Sequence, residues 1–421
     1  MRILITGINY SPELTGIGKY TGEMAEWLVA NGHEVKVITA PPYYPDWKVL
    51  PPYSSWRYFK EIIGGVQVWR CPLWVPKKPS GLKRLLHLFS FALSSAPVML
   101  AQVFWKPDVV LVVEPPLFCA PIAWMTAKLA GAQSWLHIQD FELDAAFDLG
   151  LLKGRLTKQL ALKAERSLLN QFNVVSTISH KMLERLATKG INPNKSILFP
   201  NWVDLATFHV DESTLQSKPK DFRAQLKISP DAVVAMYSGN MGNKQGLEIL
   251  SEVARICQQA EAENKISPNS LKIQFVFCGA GAAKGELVRA CADLLNVKFL
   301  DLQPLEDLPA LLRTADIHLL PQRAEVEDLV MPSKLTGMLA SARAVVASSR
   351  VNTELAKVVT ECGLLVEPGD SHAFALAIQS LAANEGVRSK LGAAGKIYAE
   401  KHLDKEIILR TFESKLGQSK A

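Results

Sequence analysis

Twelve short apolar runs, spaced along 421 residues, decide what this chain can fold into. In the first half they occupy residues 2–7, 34–39, 66–70, 109–113, 134–138 and 173–178. In the second half they occupy 232–238, 272–278, 297–300, 316–320, 344–348 and 364–366. Between them apolar residues recur at helical spacing, as in the stretch from Lys19 to Leu28. Strands alternating with helices make parallel sheets covered on both faces, and this many strands make two of them. The fold class expected is α/β, with two Rossmann-like, doubly wound parallel-sheet domains. The polar stretch from Pro200-Asn-Trp-Val-Asp204 to Lys220 reads as the linker. The expected domains are therefore 1–205 and 221–400, with a terminal helix over 403–417 packing back on the first.

The net charge of +6 is unevenly placed. Residues 1–205 carry 22 Lys/Arg against 15 Asp/Glu, and the remainder 25 against 26, so the basic excess belongs to the first half. Six cysteines form neither a CxxC nor a Cys/His cluster, the pattern of reduced core thiols in a cytoplasmic protein. The chain opens directly in a strand, without the charged, apolar and cleavable segments of a secretory leader.

Leu85 to Trp105 is a run of 21 residues without formal charge, preceded by Lys77, Lys78, Lys83 and Arg84. That length suffices to cross a bilayer. His87, Pro97, Gln102 and three serines within it, and the strand that follows Asp108, favour a helix packed on the first sheet. Its basic flank either touches an anionic membrane face or solvates a surface.

Two glycine loops follow strands. The first, Thr15-Gly16-Ile-Gly18, opens the helix after strand 2–7; the second runs from Gly239 and Asn240 through Gly242 and Lys244 to Gly246. Backbone N–H groups at a helix start favour an anion. A dinucleotide fits poorly: its glycines belong in the tight turn itself and an acid should end the second strand. Here Ile8 to Thr15 displaces the glycines, and the second strand ends Thr39-Ala-Pro-Pro42. Taken alone, such a glycine pair reads first as turn punctuation.

Together these residues resemble the GT-B glycosyltransferases, and within them the family 4 retaining enzymes that use nucleotide sugars. The resemblance runs over nearly the whole chain. It rests on the displaced glycine loop, Gly32-His-Glu-Val-Lys-Val37, Pro200-Asn-Trp-Val-Asp204, Ser238-Gly-Asn240, Gly363-Leu-Leu-Val-Glu-Pro-Gly-Asp370 and the terminal helix. The opening INYSPELTGIGKYTGEMAEWL and the later PSKLTGMLAS are similar to the colanic acid type, which builds a fucose-containing exopolysaccharide on a polyprenyl carrier. The resemblance implies two domains facing across a cleft. It also implies a nucleotide-sugar donor, GDP- or UDP-linked, and a lipid-linked saccharide acceptor at the cytoplasmic membrane face. No cofactor, metal or nucleic acid is expected.

Breaking a glycosidic bond to a diphosphate leaves extra negative charge, and groups that stabilise it lower the barrier. The family's Arg and Lys for that role fall at Asn240 and Gln245; Lys244, one residue early, is the candidate here, with Lys334, which opens a helix after Pro332-Ser333. Many family members carry two glutamates with seven residues between them here; Leu329 and Gly337 stand at those places, with Glu325, Glu327 and Asp328 just upstream. His137 and Asp140, at the end of strand 134–138, match groups that contact the donor sugar and the acceptor hydroxyl. Thr15, Gly16, Gly18, Gly239, Asn240, Ser333, Glu327 and Glu354 complete the implied donor site, with Asn352-Thr353 capping the helix at Glu354. Asp140-Phe-Glu142-Leu-Asp144 alternates carboxylates as a metal-binding motif of GT-A enzymes does, but those lack a second Rossmann-like domain. Other readings are a sugar-nucleotide epimerase of the same fold, a non-catalytic nucleotide-sugar binder, and a dehydrogenase, the last disfavoured by the missing ribose carboxylate.

Overall fold

All twelve apolar runs become strands of two sheets in a computed structural model. It describes every residue except 14–15, 45, 78–80, 149–153, 209–219, 243–244, 264–271, 325–331 and 419–421. The first sheet contains β1 (Arg2–Thr6), β2 (Glu34–Thr39), β3 (Phe59–Ile63), β4 (Val66–Arg70), β5 (Val109–Glu114), β6 (Gln133–Ile138), β7 (Val174–Thr177) and β8 (Ser196–Leu198). Their spatial order is β3-β4-β2-β1-β5-β6-β7-β8, parallel throughout except for the β3–β4 hairpin. The second sheet contains β9 (Val233–Ser238), β10 (Ile273–Cys278), β11 (Val297–Leu300), β12 (Ile317–Leu320), β13 (Ala344–Ser348) and β14 (Gly363–Val366). It is wholly parallel, in the order β11-β10-β9-β12-β13-β14.

Every residue of β5, β6 and β9 is buried, as strands covered on both faces require. Sequence reading did not find β3 or β8. The former, Phe-Lys-Glu-Ile-Ile, lies exposed at the sheet edge, and the latter is only three residues long. Strand order reverses between β1 and β5 and again between β9 and β12. Such reversals open a crevice at the carboxyl ends of the strands, where ligands of these folds bind.

The chain divides into two units, Met1–Pro200 with Ile407–Ala421, and Asn201–Glu406. Most of the expected linker, residues 209–219, lies outside the described residues. The two ends of the second unit are zipped together. Val203 N donates to Leu403 O at 2.8 Å, Lys405 N to Val203 O at 3.1 Å, and Lys405 Nζ pairs with Asp204 at 3.1 Å. The returning helix Lys405–Glu413 brings Phe412 against Trp135 (4.9 Å between ring centroids) and stacks it on Phe199 (4.5 Å). Truncating an aromatic so enclosed costs about 3–5 kcal/mol.

The uncharged segment after Arg84 forms the helix Gly81–Ala101, running through a 3₁₀ turn into β5. By length and composition this helix could cross a membrane. Its buried face, Leu88, Phe91, Val98 and Met99, belongs to the core of the first unit. All six cysteines are buried and unbridged.

Candidate active site

In the first unit the reversal between β1 and β5 carries a cavity of about 230 Å³. The loop after β1 contributes Ile8, Asn9, Gly16 and Ile17, and the loop after β2 contributes Tyr43, Tyr44 and Trp47. Arg84, His87 and Leu88 come from the helix Gly81–Ala101, Pro115 follows β5, and Asp140 follows β6. Two buried side chains hold the glycine loop in place. The Glu13 carboxylate accepts from Asn9 Nδ2 (2.7 Å), Tyr43 N (3.1 Å) and Tyr44 N (3.2 Å). Burial raises its pKa, and those donors oppose the rise. The Arg70 guanidinium bonds the Ser11 and Ala40 carbonyls and pairs with Glu61.

His87 is fully buried and packs edge-on against Tyr43. Its Nδ1–H donates to the Trp74 carbonyl at 2.6 Å, which leaves Nε2 as an acceptor without a partner among the described residues. Burial lowers its pKa, so the ring is neutral near neutral pH.

In the second unit the reversal between β9 and β12 is filled by Lys334. Its Nζ donates to Asn240 O (3.1 Å), Gln245 Oε1 (3.0 Å) and the Tyr237 hydroxyl, and lies 4.2 Å from the Tyr237 ring centroid. Burial pulls its pKa down to about 7. Gly239 has φ +121°, and a Cβ there would stand 2.8 Å from Lys334 Cε. Gly279 and Gly281, in the loop after β10, press on the same turn: their Cβ atoms would fall 1.9 Å from Gly239 O and 2.5 Å from Met241 O. On the other side Gly246, φ +64°, lies against Gln322 and Arg323 of the loop after β12. Thr353 caps the helix Glu354–Cys362, its Oγ1 accepting from Ala356 N at 3.0 Å, which sets Glu354 just beyond β13.

Residues 15–202 match the Glycosyl transferase 4-like domain and residues 232–384 match Glycosyl transferases group 1. The chain is 45% identical over 419 residues, 98% of each sequence, to the Escherichia coli K12 protein that bears the name colanic acid biosynthesis glycosyl transferase WcaI. The chain belongs to the glycosyltransferases. Its fold is shared with sucrose-phosphate synthase of Thermosynechococcus elongatus, at TM-score 0.73 and 18% identity over 98% of this chain and 97% of that one. It is shared also with Anabaena HepE, solved with UDP and glucose, at TM-score 0.67 and 16% identity over 98% of both. These relatives carry the GT-B fold.

Apart from His137, the implied site residues of this glycosyltransferase take three kinds of place. Gly16 and Asp140 line the first cavity, and Gly18 is the second residue of the adjoining helix Ile17–Ala30. Gly239, Asn240, Ser333, Lys334 and Glu354 lie beyond the carboxyl ends of β9, β12 and β13. Thr15, Lys244 and Glu327, with Glu325 and Asp328, lie outside the described residues.

His137 requires correction: it does not line the cavity. It is buried within β6, with Nδ1 2.9 Å from Ser176 Oγ and Nε2 2.9 Å from Gln139 Nε2, and its ring packs on Phe199. Burial lowers its pKa to about 3, so the ring is uncharged near neutral pH. The alternating acids are occupied as well. Glu142 accepts from Leu117 N at 2.7 Å, and Asp144 pairs with Arg185 and Lys189.

The Lys334 ammonium turns back from the helix start into the β9 turn. The Ser333 side chain makes no capping bond. Sequence reading missed Gly279 and Gly281, although Gly-Ala-Gly directly after a strand was a visible signal. His87 was read only as a polar interruption of its apolar run, not as a residue of the cavity wall.

Proposed function

We propose that this glycosyltransferase moves a sugar, L-fucose from GDP-fucose, onto a polyprenyl-diphosphate-linked saccharide during synthesis of a colanic-acid-type exopolysaccharide. It would do so with retention of anomeric configuration, as a peripheral protein of the cytoplasmic membrane face. The observation that carries this reading is the 45% identity over 98% of the chain to a protein named for colanic acid biosynthesis. The complex of HepE with UDP and glucose supports a nucleotide-sugar donor.

In this reading the donor diphosphate lies against the turn from Gly239 to Gly246, with Lys244 and Lys334 offsetting the charge of the departing phosphate. Glu354 stands near the ribose, and Glu327 and Ser333 near the sugar and phosphate. Asp140 orients the acceptor hydroxyl. The glycosidic C–O bond to the diphosphate breaks as the acceptor oxygen bonds the anomeric carbon on the same face. The acceptor proton passes to the departing phosphate oxygen.

The test is a thermal-shift panel of GDP-, UDP- and TDP-sugars, followed by transfer of the labelled sugar that binds. GDP-fucose should raise the midpoint most, and label should move into lipid extract with the product retaining anomeric configuration. Stabilisation by a different nucleotide sugar would overturn the donor assignment, and label recovered only in water-soluble products would overturn the acceptor.

A further inference from the structure

The helix Gly81–Ala101 serves two recesses of the first unit. Near its start Arg84, His87 and Leu88 wall the polar cavity. Further along, Phe89 and Leu93 wall a larger groove of about 690 Å³, completed by Phe118, Trp124, Met125 and Leu168. Ser167 and Gln171 supply its polar side chains. The surface around it is apolar and open to solvent. Leu82, Leu86, Phe89 and Leu93 form a stripe at helical spacing, each 46–72% exposed, and Leu129, Leu156 and Leu160 are each more than half exposed. Patches of this kind mark a binding surface on a soluble unit.

Charge decides between occupants. The helices Gly81–Ala101, Ala120–Ala130 and Arg155–Leu169 carry Lys83, Arg84, Lys128, Lys158, Lys163 and Arg166 among their basic residues. Their single acid, Glu165, is buried and paired with Lys189. A hydrocarbon groove on helices that carry an excess of cations complements a molecule with a long apolar chain and an anionic head. A second copy of this face would bring like charges together.

We infer that this groove receives the isoprenoid chain of a polyprenyl-phosphate-linked acceptor, with Arg84 meeting the phosphate beside the polar cavity. The inference rests on the lipid-linked acceptor proposed above and assigns its apolar part a site. The apolar contacts are non-directional, so chain length should set affinity, whereas Arg84 acts on the head group whatever the length.

Binding of a long-chain polyprenyl phosphate and of geranyl phosphate, both in neutral detergent micelles, tests this without any turnover. The full-length protein should prefer the long chain by about tenfold or more, the order expected when several methylenes leave water. Leu93→Ser with Met125→Ser should bring the preference close to one and leave geranyl phosphate affinity and the melting midpoint unchanged. Should that pair disturb folding, Leu93→Asn alone, at a 59% exposed position, gives the same readout. Arg84→Gln should weaken both ligands equally. Equal binding of the two lipids by the unaltered protein, or a preference that survives the substitutions, would overturn the inference. So would a lipid-free dimer in sedimentation that depends on Leu93. Failure of the acceptor reading shows elsewhere, as sugar label absent from lipid extract while the chain-length preference stands.

Discussion

A Cβ on Gly18 would stand 3.0 Å from both Cβ and Oε2 of Glu13. The glycine is therefore required by a buried carboxylate of its own loop, which in turn bonds the N–H groups of Tyr43 and Tyr44. Gly16 differs: no atom lies within 4 Å of its absent Cβ, and its φ of +62° is what favours glycine.

A double-mutant cycle tests the pairing of these two residues. Gly18→Ala should cost about 1–2 kcal/mol through crowding. Glu13→Ala should cost about 2–3 kcal/mol by leaving buried N–H groups without their acceptor. The double variant should cost less than the sum, because the crowding partner is gone. Additive losses in urea unfolding would show that the two residues do not act on each other.

Lys334 makes stability and binding depend on pH in opposite senses. With its pKa lowered from 10.5 to about 7, the unfolded chain holds a proton that the folded chain lacks between those values. Raising the pH through that window therefore adds stability. Lys334→Met should lack this increment, so its unfolding free energy should fall further behind the unaltered protein as pH rises. A bound diphosphate favours the charged lysine. GDP affinity measured by titration calorimetry should then decline above a pH of about 7, and that decline should vanish in Lys334→Met.

His137 and Asp140 should separate stability from turnover. His137→Ala should lose about 2–3 kcal/mol of stability by opening a cavity and stranding Ser176, with kcat of the folded fraction changed only a few-fold. Asp140→Asn should keep the melting midpoint and lower kcat by about a hundredfold. The imidazole also sets an acid limit. Its pKa of about 3, against 6.5 when free, means the unfolded chain takes up a proton first, so stability drains away as pH falls below 6.5. A large kcat loss in His137→Ala without loss of stability would restore it to the chemistry.

Gly279→Ala should be the most damaging of the loop-glycine changes in the second unit. Its Cβ would enter the Gly239 carbonyl oxygen, and its φ of +154° disfavours any side chain. A loss of at least about 3 kcal/mol is expected, together with loss of nucleotide-sugar stabilisation in thermal shift.

The sheets were legible because their central strands are uninterrupted apolar runs, and the reversal points follow from strand order. What the runs could not tell was direction. All of β6 is buried, so alternation gave no clue that His137 faces Ser176 while Asp140, two residues past the strand, reaches the cavity. Lys334 was found from its place at a helix start. Its partners Tyr237 and Asn240 lie more than ninety residues away in sequence, where spacing carries no information. Arg70 and Glu13 read as an unremarkable strand end and loop acid, because their importance arises only when two loops meet.

The bridge of Val203 with Leu403 and Lys405 makes the second unit a cassette. A module whose entry and exit are already clasped needs no new closure when it is moved, since its termini keep their spacing in any host. Exchange between glycosyltransferases thus requires two cuts, after Pro200 and before Ile407. Lineages of this fold can in that way exchange the second unit as a single piece.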